Sequence, residues 1–245
     1  MIAAQAALET RMLLRNGEQL LLTVIIPSLL LVLFSTVDIV AVPVATADGG
    51  TGRSVDFLAP GVLALAVLST AFTGQAIATG FERRYGVLKR LGASPLPRWA
   101  LMTAKTLSVL VTEVLQIVLL TLIAFALGWD PQGSPASVVL LLVLGTAAFS
   151  GLGLLMAGTL KAEATLAAAN LVFLLLLVGG GVIVPLDKFP DAAQSVLGLL
   201  PISALSDGLR DVLQHGAGLP WGALGILAAW AVLGLGAAAR FFRWE

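Results

Sequence analysis

Glu113 is the one carboxylate deep within an apolar stretch of the sequence, Gln116 follows three residues later, and Asn170 lies in another apolar stretch. An acid in hydrocarbon costs free energy unless its carboxyl is paired or protonated, which makes Glu113 a candidate for a transport pathway or a proton site. A neutral Glu113 that forms an interhelical hydrogen bond would explain the same residue without a transport role. We therefore regard all three residues as a possible pathway and leave both interpretations of Glu113 open.

The residue patterns typical of hydrolases are missing from this sequence, which has no Ser–His or Asp–Asp pair within its apolar stretches. It has no cysteine and a single histidine, His215, without an H-E-x-x-H pattern around it. Lys never follows Gly, which excludes a G-x-x-x-x-G-K-[ST] phosphate-binding loop. We expect no catalytic residue, metal site or cofactor in this chain, and a membrane-embedded enzyme is disfavoured. An ion-coupled secondary transporter or channel that uses Glu113 remains an alternative.

Composition assigns the chain to the membrane. Hydrophobic residues make up 58% of its 245 residues and charged residues only 11%, whereas soluble proteins carry about 25% charged residues. A soluble domain of this length could not cover its surface with so few charges. We therefore expect a multi-pass membrane protein that binds no nucleic acid.

Six apolar runs are long enough to cross a bilayer as helices, which predicts an all-α membrane protein. They occupy residues 20–37, 57–79, 106–128, 136–160, 164–184 and 221–239. The composition is uniform along the chain, so residues 1–245 are expected to form a single transmembrane domain.

The residues before the first span, 1–19, place apolar and basic side chains on separate arcs of a helical wheel. This pattern predicts an interfacial amphipathic helix, and an ordinary charged flank is the alternative. Ala45-Thr46-Ala47 has the small-x-small pattern of a signal-peptide cleavage site. Cleavage is disfavoured, because the preceding apolar run is too long for a typical signal peptide.

The basic residues predict the orientation of the chain. If both termini are cytoplasmic, eleven of the 14 Lys and Arg residues lie inside, which is the distribution that the positive-inside rule requires. The inside residues are Arg11, Arg15, Arg83, Arg84, Lys89, Arg90, Arg98, Lys105, Lys161, Arg240 and Arg243, and the outside residues are Arg53, Lys188 and Arg210. We expect Lys105 to extend its ammonium group to the cytoplasmic interface. The predicted location is a plasma membrane that the chain crosses several times, with both termini in the cytoplasm.

The segment 185–220 is too apolar for a simple extracellular loop. Asp191 opens one predicted short helix, and Ser203 opens a second that runs through Gln214. Neither helix is long enough to span the bilayer. We expect a re-entrant pair that dips into the outer leaflet before the last span, and a cap on the membrane surface is the alternative.

A strongly basic segment, 81–98, joins the second and third spans. Phe81, Tyr85 and Leu88 recur on one face of a predicted short helix, and Gly92 is well placed to end it. The charges place this helix at the cytoplasmic face, where it would present a basic surface with an apolar stripe. It is therefore predicted to be a docking element.

The region around this segment resembles the type-2 ABC transporter permease family, the membrane subunits of bacterial exporters of the daunorubicin-resistance type. The resemblance rests on Pro60-Gly61, on an E-R-x-x-G-x-L-K-R-L-x-A-x-P motif that begins at Glu82, and on Lys105. The segment Arg15-Asn16-Gly17-Glu18 supports it. A weaker L-P-x-x-x-x-x-x-x-L-R match falls on Pro201, Leu209 and Arg210.

The resemblance implies an ABC permease that exports a drug, an antibiotic or another hydrophobic or amphipathic compound, with a lipid or a polysaccharide as alternative cargo. It implies a separate ATPase subunit, which would bind the ATP and magnesium, and a second copy of this permease or a related chain. The segment between spans two and three would be the coupling helix that seats in the ATPase. Its residues here are Phe81, Glu82, Arg83, Arg84, Tyr85, Gly86, Leu88, Lys89 and Arg90.

Overall fold

The computed structural model describes residues 7, 11, 17–36, 53–87, 98–182 and 186–242, and their side chains except those of 17–23, 98–102 and 187. Helices account for most of the described residues, none of which lies in a strand. The prediction of an all-α chain is confirmed for this part of the protein.

Eight α-helices are described, and we number them in chain order. They are α1 (Gly17–Thr36), α2 (Ser54–Arg84), α3 (Arg98–Ala126), α4 (Pro135–Thr159), α5 (Ala162–Gly179), α6 (Asp191–Leu197), α7 (Pro201–Leu213) and α8 (Trp221–Phe241). A 3-10 turn, Leu186–Lys188, precedes α6. Helix α2 is continuous but contains a π-helical stretch, Leu68–Gly74, between two α-helical parts.

Five helices are long and apolar enough to cross a membrane: Ser54–Arg84, Thr103–Ala126, Pro135–Thr159, Ala162–Gly179 and Trp221–Phe241. They coincide with five of the six predicted spans and differ from them by a few residues at each end. The remaining predicted span lies in α1, whose described side chains begin at Val24. The sixth crossing and the cytoplasmic location of the termini stay predictions.

Most of the predicted interfacial segment, 1–19, lies outside the described residues. Only Ala7, Arg11 and the first turn of α1 are described there, and all of these are helical.

Helix α2 lies at the centre of the bundle. Every residue from Val55 to Val67 is buried except Asp56, which is half-buried. A helix that is apolar all round must be surrounded on all sides, and α2 packs against α1, α3, α4 and α7. It is therefore placed to pass a movement to most of the other described helices.

The ends of the helices segregate into two layers. At one end, Arg53 Nη1 donates to the Gly128 carbonyl oxygen (2.7 Å), which joins the start of α2 to the end of α3. At the opposite end, Arg83 donates to the Leu160 carbonyl oxygen, which joins the end of α2 to the turn between α4 and α5. We call these the outer and the inner end, after the predicted orientation.

Glycines on α4 permit two close helix contacts. A methyl group on Gly151 would lie 2.5 Å from the backbone nitrogen of Leu235 on α8, and one on Gly153 would lie 2.9 Å from the Phe72 carbonyl oxygen on α2. Small residues commonly allow helices to approach in membranes, where apolar burial between helices contributes little. Helix α4 is thus held between α8 and α2.

The segment 186–213 contains the two predicted short helices, α6 and α7. Helix α7 begins at Pro201 rather than at Ser203 and ends at Leu213, one residue before the predicted end. Its Leu205, Leu209 and Val212 are fully buried against the bundle, whereas α6 has no buried residue. The two helices are confirmed, and their insertion into the outer leaflet stays a prediction.

Candidate functional site

Polar side chains from three helices meet in the middle of the bundle, where α2, α3 and α4 pack together. We call this set the polar core. Its members are Thr70, Gln75, Thr106, Glu113, Gln116, Thr146 and Ser150. Glu113 and Gln116 are each only 2% exposed, and their spacing of three residues places them on one face of α3. The structure therefore brings two of the three predicted pathway residues together.

Glu113 contacts Thr146 across the interface between α3 and α4. The Thr146 hydroxyl oxygen is hydrogen-bonded to Oε2 of Glu113 and also lies 2.8 Å from the Leu142 carbonyl oxygen of its own helix. A hydroxyl carries a single hydrogen, so when Leu142 accepts it, the bond to Glu113 requires a proton on the carboxyl. The other oxygen, Oε1, has no hydrogen-bond partner among the described residues. This is the interhelical hydrogen bond that one interpretation of Glu113 requires.

Two further hydrogen bonds join α2 to its neighbours. Thr70 donates to Oε1 of Gln116 (2.8 Å). Ser150 donates to Oε1 of Gln75, and because the Ser150 hydrogen is used there, Thr106 must be the donor in its 2.9 Å contact with Ser150. The polar core therefore ties α2 to α3 and α4 at defined heights along the helices.

The π-helical stretch of α2 lies at this level. Thr70 belongs to it, and Gln75 is the first residue after it. Wide turns of this kind are frequent at functional sites. Here the wide turn coincides with the place where α2 changes from an almost wholly apolar surface to polar contacts with its neighbours.

Asn170 does not belong to the polar core. It lies on the exposed face of α5, together with Leu171 and Leu174, and its side-chain nitrogen donates to the Leu166 carbonyl oxygen of the same helix (2.9 Å). Asn170 therefore makes no contact with Glu113 or Gln116 in this structure, and its place in a transport pathway stays a prediction. A short polar side chain on an outward face bonds back to its own helix when no neighbour is available.

Three charged residues at the inner end of α2 are fixed by neighbouring elements. The Glu82 carboxylate contacts the Lys105 ammonium of α3 at 2.5 Å, Arg83 donates to Leu160, and Arg84 pairs with Glu163 of α5. Lys105 is 5% exposed, so its ammonium lies against the Glu82 carboxylate rather than in water. Its position at the cytoplasmic interface stays a prediction.

The predicted docking helix is not a separate helix at its start. Residues Phe81 to Arg84 form the last turn of α2, Tyr85 lies in a turn, and Gly86 has φ +70°. Phe81 and Tyr85 still stack, with ring centroids 6.2 Å apart, and Tyr85 is 66% exposed. Val87 is helical again. The predicted coupling residues Leu88, Lys89 and Arg90 lie outside the described residues.

Sequence reasoning missed the burial of Arg210. Arg210 is only 6% exposed at the outer end, although the charge distribution had placed it simply among the outside basic residues. It pairs with Asp207 one turn earlier (3.0 Å). Burial raises the pKa of the Asp207 carboxyl, and the neighbouring Arg210 guanidinium offsets part of this effect. The local pattern of α7 gave no signal, because the groups that bury Arg210 come from distant parts of the chain.

Comparison with known proteins identifies the family. Residues 5–213 match the family model described as ABC-2 type transporter. The chain belongs to this family. The match runs from before α1 to the end of α7, and it confirms the resemblance found in the sequence.

Two curated relatives come from Bacillus subtilis (strain 168). The chain is 29% identical over 167 residues to the linearmycin resistance permease protein LnrN, covering 66% of this chain and 43% of that protein. It is 28% identical over 155 residues to the putative transport permease YvfS, covering 62% of each. The alignments thus span less than two thirds of either relative.

Proposed function

We propose that this chain is the permease subunit of an ATP-driven ABC exporter, with a drug, an antibiotic or another hydrophobic or amphipathic compound as cargo. Membership of the ABC-2 type transporter family supports the permease role. The similarity to a protein named as a linearmycin resistance permease favours antibiotic-like cargo over a polysaccharide. Apolar helices that select cargo mainly by shape are consistent with such compounds.

The geometry of α2 supports a mechanical role for its inner end, and the proposed coupling mechanism rests on this geometry. The helix is 31 residues long, which is roughly 45 Å at 1.5 Å per residue. Its last turn contacts both α3 and the turn between α4 and α5. A force applied at residues 82–84 by an ATPase subunit would therefore reach three helices at once.

The proposed cycle is alternating access. ATP binding and hydrolysis, with magnesium, would occur on the partner ATPase and close its two copies against each other. The charged end of α2 would follow this movement and reorient the spans around a central route. A second copy of this permease, or a related chain, would enclose the other side of that route, and apolar faces of α3 and α5 are exposed toward lipid or such a partner.

The test is the pair of substitutions Glu82→Ala and Arg83→Ala in one chain. We expect loss of co-purification with the partner ATPase, or loss of ATPase stimulation, with normal membrane insertion. The matched control is Lys188→Ala with Asp191→Ala, which removes an exposed base and acid near the opposite end. Unchanged association and stimulation in the first variant would overturn the coupling role of this end.

A secondary transporter is the alternative that one observation favours, namely that Oε1 of the buried Glu113 has no hydrogen-bond partner in the described part of the chain. It predicts transport by the isolated chain in a pH gradient without any ATPase. Reconstitution of the purified chain in vesicles, with and without the ATPase and ATP, separates the two functions.

A further inference from the structure

The guanidinium of Arg210 lies where three parts of the chain meet at the outer end. Nη2 donates to the Val182 carbonyl oxygen beyond the end of α5 (2.9 Å), and Nε lies 3.4 Å from the Phe57 carbonyl oxygen in the first turns of α2. Nη1 contacts Asp207 of α7 itself. The guanidinium also lies over the Phe57 ring, 3.8 Å from its centroid.

Glycines create the space that this side chain occupies. A methyl group on Gly61 would lie 2.9 Å from Nη2 of Arg210 and 2.7 Å from the Val182 carbonyl oxygen. Gly181 has φ +70°, a conformation that glycine adopts readily and that turns the chain toward Val182 just after α5. Gly61 and Arg210, which belong to two separate motifs of the sequence, are therefore adjacent in the fold.

The chemistry of these contacts requires arginine. A buried cation is costly unless its donors are satisfied, and a planar guanidinium can reach two carbonyl oxygens and a carboxylate while it stacks on an aromatic ring. A lysine ammonium on a flexible stem could keep the charge, but it could not make these contacts together. The arrangement thus holds α7 in one position, because all of these contacts form together only when the guanidinium lies in this place.

We propose that Arg210 is the positioning residue that fastens α7 to the outer end of α2, so that α7 follows the movements of α2. The fastening stands on the contacts alone, and its use in transport rests on the proposed function. Because α2 runs without a break from the Phe57 contact to the charged turn at Arg83, a movement imposed at the inner end reaches α7 through Arg210. Helix α7 would then be the outer element that this movement displaces.

The reporter for the test is a single thiol at Ser203 of α7. Ser203 is 0% exposed, its hydroxyl has no hydrogen-bond partner among the described residues, and the sequence contains no cysteine, so Ser203→Cys adds one buried thiol of similar size. The full chain in lipid nanodiscs is treated with a membrane-impermeant maleimide, and the labelling rate measures how often α7 leaves the bundle. Labelling in detergent that unfolds the chain gives the maximal rate.

Arg210→Met, Arg210→Lys and Gly61→Ala are compared in this background. Loss of hydrogen bonds from a charged donor should raise the labelling rate of Arg210→Met by roughly tenfold or more, with an intermediate rate for Arg210→Lys. Gly61→Ala should act in the same direction without removing a charge, because its methyl group displaces the guanidinium. The controls are Gly222→Ala, which meets open space, and Lys188→Met, which removes an exposed basic residue from the same end. Equal rates in the wild type and in both Arg210→Lys and Gly61→Ala would overturn the proposal, even if Arg210→Met did not fold.

A second arm adds the ATPase and nucleotide. We expect nucleotide to change the labelling rate of the wild-type chain and to have a smaller effect on Arg210→Lys, because α7 is then held to α2 by fewer contacts. If the variants change the rate without nucleotide but nucleotide leaves the wild type unchanged, the fastening holds and the proposed ATP-driven function fails. If nucleotide changes the wild type and Arg210→Lys to the same extent, α7 does not depend on Arg210 and the inference fails.

Discussion

The Glu82 carboxylate and the Lys105 ammonium meet at 2.5 Å, with side chains only 18% and 6% exposed, and join the inner ends of α2 and α3. Two residues further along α2, the pair between Arg84 and Glu163 joins α2 to α5 with side chains 51% and 63% exposed. The two ion pairs are similar in type but differ in their access to water. They should therefore differ in what they contribute to stability and to the passage of movement between helices.

We predict that Lys105→Met destabilises the chain by about 2–3 kcal/mol, because it leaves the shielded Glu82 carboxylate without its ammonium partner. This loss of stability is smaller than the usual cost of breaking a buried ion pair, because the Glu82 carboxylate keeps some contact with water. Arg84→Met should cost no more than about 1 kcal/mol, since exposed pairs contribute little. Chemical unfolding in detergent micelles measures both variants. Equal losses would contradict the argument from burial.

The exchange Glu82→Lys with Lys105→Glu tests whether the contact also serves coupling. If α3 follows α2 through this pair, each single change should lower ATPase stimulation and the double exchange should restore part of it. Restored stability without restored stimulation would show a contact that serves the fold alone. The single Arg84→Glu variant is the matched charge reversal at the exposed pair.

At the polar core, replacing Thr146 and replacing Glu113 are predicted to lower the free energy of unfolding by different amounts, although both changes remove the same hydrogen bond. Thr146→Val leaves the Glu113 carboxyl without its bond and should cost about 1–3 kcal/mol. Glu113→Leu should cost less, because Thr146 keeps its bond to Leu142. The double variant should be more stable than Thr146→Val alone. Unfolding of the three variants in detergent measures this order, and an additive double variant would contradict it.

Glu113→Gln separates the two interpretations of the acid. The amide keeps a group that can donate to or accept from Thr146 but cannot release a proton at ordinary pH. If Glu113 only forms an interhelical bond, transport by the complex and its pH dependence should be unchanged. Loss of transport with normal assembly would identify Glu113 as a proton site.

The apolar spans could be predicted from the sequence because length and hydropathy are local properties. Five predicted spans match α2, α3, α4, α5 and α8 within a few residues. The positions of α6 and α7 were also predictable, since Asp191 and the prolines at 190 and 201 mark where helices can begin. These signals need no knowledge of the neighbours.

Contacts between distant residues could not be predicted in the same way. From the sequence alone, the Lys105 ammonium is expected to be exposed, and only the fold places Glu82 beside it. Arg210 is likewise expected to be exposed, and only the fold brings the Val182 carbonyl oxygen to its guanidinium. Asn170 had no amphipathic pattern around it to show which way it faces. Gly61 and the glycines at 179–181 are the sequence feature that could indicate these contacts, because small residues allow other parts of the chain to pack closely against a helix.

The approach of α4 to α8 depends on Gly151. A methyl group there would lie 2.5 Å from the Leu235 backbone nitrogen, and backbone cannot move aside as a side chain can. We predict that Gly151→Ala destabilises the chain by about 1–3 kcal/mol through overpacking. Gly236→Ala on α8 meets open space and should be neutral or stabilising by up to about 1 kcal/mol, since alanine favours helix. Thermal unfolding of the two variants measures the difference. A Gly151→Ala variant as stable as Gly236→Ala would contradict the contact.

The turn that ends α2 depends on the backbone conformation of Gly86. A side chain there would meet no atom within 4 Å, but φ is +70°, where a residue with a Cβ atom is strained. We predict that Gly86→Ala costs about 1–2 kcal/mol locally and Gly86→Asn less, because asparagine tolerates the left-handed region. Gly218→Ala also meets open space, without positive φ, and should be silent. Two quantities are measured for each variant, the free energy of unfolding and the stimulation of the partner ATPase. Stimulation is included because the turn directs the chain from α2 into the predicted docking segment. Stimulation that falls in the order wild type, Gly86→Asn, Gly86→Ala would connect this turn to coupling. Unchanged stimulation in Gly86→Ala would show that coupling does not depend on the direction of the chain at Gly86.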